Sequence, residues 1–341
     1  MRILYLSCHS VLEYDEITLF RDLGHYVFSP GAYVEPKNPG DAALRPGLLD
    51  LQYDKEDIET WHKLGVPGKD TKECISKEFF DRFDVVIIMH LPRWIHANWE
   101  NMKHKPVVWR TIGQSIDHVE KELSNYRANN MKIVRYSPRE SLIRNYLGSD
   151  AVIRFYKRPD EFSDWVGDDP IVINFTQSMP ERAKFCGLES LEAFTRGFNR
   201  AIYGPNNEGI AFNGGRLTYD ELKNRMRTAR VYCYTGTYPA SYTLNFIEAF
   251  MTGIPIVAVG PKRGNAWFIN EGLYEVNELL VNGRTGFVTD DPEMARYYIR
   301  RLLLDHEYAK RISAQARESA VQIFGYETIK KQWGMFLSKL V

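Results

Sequence analysis

One stretch in the second half of the chain restricts the possible folds more than any other. Residues 231–234 are β-prone, and the glycine and proline within residues 236–239 end that run. A helix begins at Thr243 with apolar residues at helical spacing, Gly253 ends it, and residues 254–259 read as the next buried strand. Strands joined through a helix pair in parallel, so this stretch predicts part of a parallel α/β sheet.

The amino end of this helix is a predicted binding site for an anion. The first turn of a helix has backbone N–H groups without partners inside the helix, here those near Tyr242, Thr243 and Leu244. Small or hydroxyl residues precede them. Glu248 follows about one turn further on and adds an acceptor for hydroxyl groups. A diphosphate joined to a ribose would fit both features.

Residues 248–255 read Glu-Ala-Phe-Met-Thr-Gly-Ile-Pro. They resemble the donor-binding segment of the retaining nucleotide-sugar glycosyltransferases of family four, which have the GT-B fold. That family has two glutamates eight positions apart; Glu248 matches the second, and Ala240 stands in place of the first. The resemblance is strong over residues 219–324 and weak over the first domain. The resemblance supports nucleotide binding more strongly than it supports the family's usual contacts to the sugar.

The resemblance implies an α/β protein of the GT-B fold, with two Rossmann-like, doubly wound domains facing a cleft. An acceptor-side domain is expected at residues 1–158 and a nucleotide-sugar-binding domain at 159–325, while residues 326–341 form a helix that crosses back to the first domain. The length of 341 residues suffices for two cores. Residues 33–68 lack periodicity and read as an irregular insertion with one short helix near 54–64.

Charge and cysteine content argue against several classes of protein. Lys plus Arg and Asp plus Glu number 44 each, so no overall field draws the chain to nucleic acid or to an anionic membrane. The four cysteines are far apart and form no CxxC pair, which predicts reduced thiols in a cytoplasmic protein. The chain starts directly with a strand and has no long apolar segment. We therefore expect neither a signal peptide nor a membrane span, and any membrane contact would be peripheral.

Two cations follow the first strand of the expected second domain. In the family, the loop at this place supplies an Arg and a Lys that hold the donor diphosphate, with the Lys directly before a Gly. Here Cys186 precedes Gly187, so the register differs, and Arg182 and Lys184 are the candidates. Fixed cations would stabilise the negative charge that grows on the phosphate as the sugar departs. A solvated loop would also explain these two residues.

Residues 210–212 read as a strand, and the pair of glycines that follows marks the expected border of the nucleotide base. In the family the chain near residues 213–218 borders the base, and backbone groups at Gly215 and Arg216 could pair with the base edge. A simple turn explains the two glycines equally well.

The first domain offers polar residues at the ends of its expected strands. His90 directly follows the interior strand at residues 83–89. The family commonly shows a His-Gly pair where this chain has Ile112 and Gly113, so His90 is the substitute to which we assign a catalytic role.

The loop after the first strand is acidic and has no glycine. His9, Glu13 and Asp15 could bond to hydroxyl groups of a sugar or an acceptor, and a helix start with favourable acidic residues explains Asp15 at least as well. A nucleotide-sugar epimerase, another activity for this fold, would need a carboxylate pair at the sugar ring. Glu13 with Asp15 is a poor candidate for that pair.

These features predict a metal-independent retaining glycosyltransferase that uses a UDP-sugar or a GDP-sugar and needs no cofactor. No DxD sequence occurs, and the Asp pairs at 168–169 and 290–291 read as turns, which argues against a bound divalent cation. No carboxylate or Ser/His pairing indicates a protein nucleophile. The family's front-face attack by the acceptor hydroxyl, with the leaving phosphate as base, needs none. The expected acceptor is a glycan or another glycoconjugate.

Ala240 leaves a non-enzymatic alternative open. A protein that binds a nucleotide sugar without transferring it would not need the missing glutamate. An unusual donor, such as a pentose, a deoxysugar or a sugar held by Thr237, Ser241 or Asn245, would explain the same substitution.

A glycosyltransferase acting on modified DNA bases is a less favoured alternative. Basic and aromatic residues interleave after the strand at residues 83–89, a composition that suits a polyanion or nucleic acid. An ordinary core or a sugar-stacking surface explains the same aromatics. The residues in question are Trp94, Trp99, Lys103, His104, Lys105, Trp109 and Arg110.

Overall fold

The chain divides into two units in the computed structural model, which describes residues 1–31, 53–64, 74–264 and 272–340. Unit 1 comprises Met1–Phe155 and Ile329–Val341, and unit 2 comprises Tyr156–Thr328. The division falls within a few residues of the boundary expected near Arg158.

Unit 1 is built on a six-stranded parallel sheet with the order β2-β1-β3-β4-β5-β6. Its central strand β3 consists of five apolar residues, all fully buried, as expected for a strand with helices on both faces. The strands are β1 (Arg2–Leu6), β2 (Tyr26–Phe28), β3 (Val85–Met89), β4 (Val107–Arg110), β5 (Lys132–Arg135) and β6 (Ala151–Val152).

The helices of unit 1 connect these strands. They are α1 (Ser10–Asp22), α2 (Lys55–Lys63), α3 (Lys77–Phe80), α4 (Pro92–Met102) and α5 (Asp117–Ala128), and a 3₁₀ helix spans Pro138–Leu142. The short helix predicted near residues 54–64 is confirmed as α2, and Asp54 caps it by accepting from the Glu56 N–H. Most of the predicted insertion at 33–68 lies outside the described residues.

Unit 2 has a second six-stranded parallel sheet, with the order β12-β11-β10-β7-β8-β9. Its strands are β7 (Asp169–Phe175), β8 (Arg200–Tyr203), β9 (Asn213–Gly215), β10 (Ala229–Tyr234), β11 (Ile256–Val259) and β12 (Phe287–Thr289). One sequence prediction is wrong here. The strand expected at residues 210–212 is absent, and β9 lies where a turn was expected, because its pairing with β8 is set by distant residues such as Ile202.

Helices cover the sheet of unit 2 and end the chain. They are α6 (Ala183–Cys186), α7 (Leu188–Thr195), α8 (Tyr219–Thr228), α9 (Leu244–Thr252), α10 (Pro261–Gly264), α11 (Val276–Leu279), α12 (Pro292–Leu304), α13 (His306–Phe324) and α14 (Tyr326–Leu337). Residues of α14 from Ile329 onward belong to unit 1, where the Trp333 ring packs edge-to-face on Phe20 with 4.9 Å between ring centroids. The expected crossing of the last helix back to the first domain is confirmed.

No helix in the described part of the chain combines the length and apolar character that crossing a membrane requires.

Candidate functional site

The candidate site lies where the strand order of unit 2 reverses. Within unit 2, the chain first forms β7 in the middle of the sheet and then β8 and β9 on one side of it. It then crosses to form β10, β11 and β12 on the other side. Ligands of open parallel sheets bind beyond the carboxyl ends of the two strands at such a point. In unit 2 these ends are Phe175 of β7 and Tyr234 of β10.

Helix α9 begins at this edge of the sheet, and its first turn has no side-chain cap. Thr243 is the N-cap residue (φ −113°, ψ 165°), but its hydroxyl makes no capping hydrogen bond. The hydroxyl donates instead to the Asn245 side-chain oxygen and lies 3.2 Å from the Tyr234 hydroxyl. The N–H groups that open α9 therefore lack the usual side-chain acceptor, at the positive end of the helix dipole.

The side chains of Asn245 and Tyr242 hold this helix start in place. The Asn245 amide nitrogen donates to the carbonyl oxygen of Phe175, which joins the end of β7 to α9. The Tyr242 ring is buried and packs edge-to-face on Phe324, with 5.3 Å between ring centroids. Both residues had been predicted to contact a donor, and the structure uses their side chains for packing and support. At Leu244, the first residue of α9, the predicted contact was a backbone N–H.

Glu248 lies one turn into α9, and its carboxylate meets a buried cation. Glu248 is 8% exposed, and its Oε1 is 2.9 Å from Nζ of Lys157, which is 1% exposed at the side chain. The surrounding face of α9 is apolar and includes the fully buried Ile247 and Phe250. A charged carboxylate at such a place requires a partner, and Lys157 provides it.

Sequence reasoning did not identify Lys157. It occupies the stretch that was interpreted as a link between domains, far from Glu248 in the chain. The available signal was the buried helix face itself, since a glutamate among apolar residues requires a cation. That signal does not say which of the 44 Lys and Arg residues supplies the cation.

The loop that carries Arg182 and Lys184 lies against the loop after β10. The Thr235 hydroxyl donates to the Cys186 carbonyl oxygen (2.6 Å), and the Tyr238 N–H donates to the Phe185 carbonyl oxygen (2.8 Å). The structure thus brings both predicted cations to the same sheet edge as the start of α9. Arg182 is half-buried and Lys184 is exposed.

Cys186 directly precedes Gly187, where the resemblance led us to expect a lysine. It is buried, and burial raises the pKa of its thiol, while the nearby Arg182 charge acts in the opposite direction. Gly187 follows with φ +71°, a left-handed conformation that favours glycine, and a Cβ there would lie 3.2 Å from the Thr235 Cβ. The segment in which Cys186 directly precedes Gly187 therefore forms part of the contact between the two loops.

The backbone of Gly215 is engaged within the protein. Its N–H donates to the Asn213 side-chain oxygen (2.9 Å), and its carbonyl oxygen accepts from the Gly204 N–H (3.0 Å). Gly215 ends β9 with φ +80°, a left-handed conformation that favours glycine. Arg216 follows at an exposed position.

His90 lies in unit 1, at the corresponding reversal of strand order between β1 and β3. It follows β3 with φ +48°, and its ring centroid is 5.7 Å from that of Trp109. Its Nδ1 atom is buried and has no hydrogen-bond partner among the residues that the structure describes. Burial lowers the pKa of His90 from 6.5 to about 4, so the imidazole is neutral near pH 7.

The acidic residues near the first strand are buried in α1. Glu13 is 0% exposed and accepts a hydrogen bond from the Ser29 hydroxyl at 2.6 Å. Asp15 is 4% exposed, and the His9 side chain caps the helix by accepting from the Leu12 N–H. The expectation that Glu13 and Asp15 bind sugar hydroxyls is not supported, because α1 packs both side chains inward, whereas His9 is exposed. The carboxylate pair needed for an epimerase is absent at this place.

The interleaved aromatic and basic residues near α4 belong largely to the core of unit 1. Trp94, Trp99 and Trp109 are 4%, 8% and 1% exposed, so they offer no stacking surface to a nucleic acid. Arg110 is fully buried and pairs with Glu16 at 2.8 Å. The DNA-directed alternative therefore loses the aromatic residues on which it depended.

Over the described ranges, no group of three or more His, Cys, Asp or Glu residues is arranged to hold a metal ion. The four cysteines all lie in the described part of the chain, and none of them forms a disulfide.

Comparisons with known proteins give a consistent result. Residues 205–319 match the family described as "Glycosyl transferases group 1". Curated protein sequences give no match. Among solved structures, the chain is similar to Alr3699/HepE of Anabaena in complex with UDP-glucose, with 15% identity and a TM-score of 0.65 over 100% of both chains.

Two further solved structures show the same similarity. Sucrose-phosphate synthase of Thermosynechococcus elongatus has 15% identity and a TM-score of 0.65, over 100% of this chain and 99% of that one. A glycosyltransferase of Rickettsia africae has 13% identity and a TM-score of 0.65, over 99% of this chain and 98% of that one.

The fold and the matched segment agree with each other. The fold is GT-B, as the resemblance of residues 248–255 implied, and the matched segment contains α9 with Glu248. Residues 205–319 are therefore similar to group 1 glycosyl transferases, within a chain that has the GT-B fold.

Proposed function

We propose that the chain is a retaining glycosyltransferase that takes its sugar from a UDP-sugar. The observation that carries this proposal is the uncapped start of α9 beside the buried Glu248, at the reversal of strand order in unit 2. Solved structures of the similar HepE contain UDP-glucose, UDP, or UDP with glucose, which supports a uridine donor over a GDP-sugar.

The nucleotide would occupy the carboxyl edge of the sheet of unit 2. Backbone N–H groups at the start of α9 would bind the diphosphate, and the Glu248 carboxylate would accept hydrogen bonds from the ribose hydroxyls. Arg182 and Lys184 would lie near the phosphates, because their loop contacts the loop that leads into α9. Negative charge grows on the diphosphate as the sugar leaves, so fixed positive groups lower the barrier.

The transfer step requires no nucleophile from the protein. The bond between the sugar C1 and the diphosphate oxygen breaks, and the acceptor oxygen bonds to C1 on the same face. The acceptor proton passes to the departing phosphate oxygen, so the products are the glycosylated acceptor and UDP. We assign His90 the role of a neutral hydrogen-bonding group for a sugar or acceptor hydroxyl, since its lowered pKa leaves it uncharged near pH 7.

The sugar of the donor must be held without the family's first glutamate. Ala240 is 8% exposed and has no polar side-chain atom. Of the three substitutes considered, Asn245 is engaged with Phe175 and Ser241 is 1% exposed, whereas Thr237 is half-buried. We propose that Thr237 contacts the sugar, which would suit a pentose, a deoxysugar or another donor that needs few hydrogen bonds.

A glycan or other glycoconjugate is the proposed acceptor, and the cytoplasm is the proposed compartment. Cysteines that form no disulfide, including the exposed Cys74, fit a reducing environment.

The first experiment measures donor binding by wild type and Glu248→Gln. Thermal shift with UDP, GDP, ADP and CMP identifies the nucleotide that stabilises the native state, and calorimetry gives its affinity. Hydrogen bonds to a charged group are worth enough that Glu248→Gln should weaken UDP binding by about 10- to 100-fold. Glu120→Gln is the matched control, because Glu120 forms an equally buried ion pair with Arg135 in unit 1. It should leave UDP affinity unchanged.

Unchanged UDP affinity in Glu248→Gln would refute the assignment of α9 as the nucleotide site. Incubation with labelled UDP-sugars then tests the chemistry. UDP-sugar binding without transfer or slow hydrolysis would favour a binding protein, which Ala240 leaves as the second candidate. An inverted anomeric configuration in the product, measured by NMR, would refute the retaining mechanism.

A further inference from the structure

The two side chains of the ion pair of Lys157 and Glu248 differ in exposure. The Lys157 side chain is 1% exposed and that of Glu248 is 10% exposed, with 2.9 Å between Nζ and Oε1. The ammonium therefore lies on the inner side of the pair, and the carboxylate lies between it and the open side. A molecule that arrives at this place meets the Glu248 oxygens rather than the lysine.

The backbone of unit 2 fixes the position of Lys157. Its N–H donates to the carbonyl oxygen of Phe324 at the end of α13 (3.1 Å), and its main chain forms a bridge with Gly325. Its ammonium also lies 5.6 Å from the centroid of the Phe162 ring. A lysine held in this way cannot follow a moving carboxylate, so it determines where the carboxylate stays.

Stability alone does not explain such a pair. Removing two charges from water costs free energy that their attraction hardly exceeds, and a pair of apolar residues can replace a buried ion pair at no loss of stability. The arrangement does provide a carboxylate that is held in a defined direction, with one oxygen 2.9 Å from the ammonium. A rigid, charged acceptor is what recognition of two neighbouring hydroxyl groups requires.

We propose that Lys157 is a positioning residue for the ribose of the donor nucleotide. It orients the Glu248 carboxylate, and it acts on the nucleotide only through Glu248. This inference rests on the proposed function, because it takes the ribose to be the partner of Glu248. It concerns neither the diphosphate nor the sugar that is transferred.

The test compares two probes that differ only at the ribose, UDP and 2′,3′-dideoxy-UDP. Calorimetry on the full chain should show that wild type prefers UDP by about 10- to 100-fold. Lys157→Met should reduce this preference to within about threefold, since the Glu248 carboxylate is then no longer held in one orientation. Lys157→Arg, which restores a cation, should recover a large part of the preference. A merely structural role would change the stability of the variant without changing the ratio of the two affinities.

A double variant tests whether Lys157 acts through Glu248. In the Glu248→Gln background, adding Lys157→Met should cause no further loss of UDP affinity. The comparison of Glu248→Gln with the double variant remains possible if Lys157→Met alone does not fold, because the double variant contains no unpaired buried charge. A further loss of tenfold or more would overturn the inference.

The failures of the two proposals can be told apart. If wild type binds UDP and its dideoxy analogue equally, the ribose is not the partner of Glu248 and the proposed site is wrong. If wild type prefers UDP and folded Lys157→Met keeps the full preference, the site stands and the role of Lys157 is refuted.

Discussion

Replacing Glu140 by Gln should change how the stability of unit 1 depends on pH. Glu140 is 2% exposed, and burial raises its pKa from 4.5 to about 7. Its Oε2 accepts hydrogen bonds from the Thr111 hydroxyl (2.8 Å) and the Tyr136 N–H (2.9 Å). Its Oε1 is buried without a hydrogen-bond partner in the described part of the chain, and the nearest Arg135 nitrogen is 4.0 Å away. This environment favours the neutral acid.

The magnitude follows from the difference in pKa between the folded and unfolded chains. Below pH 4.5 the carboxyl is protonated in both, so its full contribution to stability is present. Between pH 4.5 and about 7 the unfolded chain releases the proton and the folded chain keeps it, which costs about 1.4 kcal/mol per pH unit. By pH 7.5 wild type should have lost about 3 kcal/mol of unfolding free energy through this residue. Glu140→Gln cannot titrate and avoids the loss.

Urea unfolding followed by tryptophan fluorescence measures this effect. Five of the seven tryptophans, Trp61, Trp94, Trp99, Trp109 and Trp333, belong to unit 1, so the signal reports mainly on that unit. The stability of Glu140→Gln relative to wild type should rise steadily from pH 4.5 to 7. Parallel curves for the two proteins over this range would refute the reasoning, because they would show that Glu140 titrates alike in the folded and unfolded chains.

The other predictions concern His90 and Arg182. His90 has a pKa lowered from 6.5 to about 4, so wild type should lose about 3 kcal/mol as the pH falls through this window, and His90→Asn should not. Asn tolerates the positive φ at this position. In the same urea assay, the stability of His90→Asn relative to wild type should increase as the pH falls. A difference that does not change with pH would contradict burial as the cause of the lowered pKa. Arg182→Met should reduce the preference for UDP over UMP by about five- to tenfold in calorimetry, since the cation is assigned to the diphosphate. The control Arg196→Met, at the exposed end of α7, should keep the preference; equal effects in both variants would count against a specific role for Arg182.

Local patterns in the sequence were sufficient for much of the fold. The boundaries of α9 follow from Thr243 at its start and Gly253 at its end, and the structure has these two residues as its caps. The buried run of β3 was likewise evident from its apolar residues. Helix and strand periodicity depend on neighbours within a few residues, which is why a single sequence reveals them. The weak strand β9 was missed because it contains two glycines and exists only through its pairing with β8.

The approximate location of the candidate site was also accessible from the sequence. A helix start after a strand, followed by Glu248, predicts an anion site at the carboxyl edge of a parallel sheet. The roles of the side chains at this site were harder to predict from the sequence. Asn245 and Tyr242 have residue types suited to a ligand, and their supporting roles depend on Phe175 and Phe324, which are remote in the chain.

The sequence by itself determined the class of fold, the order of the main elements and the helix that carries Glu248, because each depends on local spacing. Only the tertiary structure decided that β10 lies beside β7, that Lys157 neutralises Glu248, and that the acidic face of α1 turns inward. The physical reason is that burial and charge pairing depend on distances between residues far apart in the chain. Local composition carries no information about those distances.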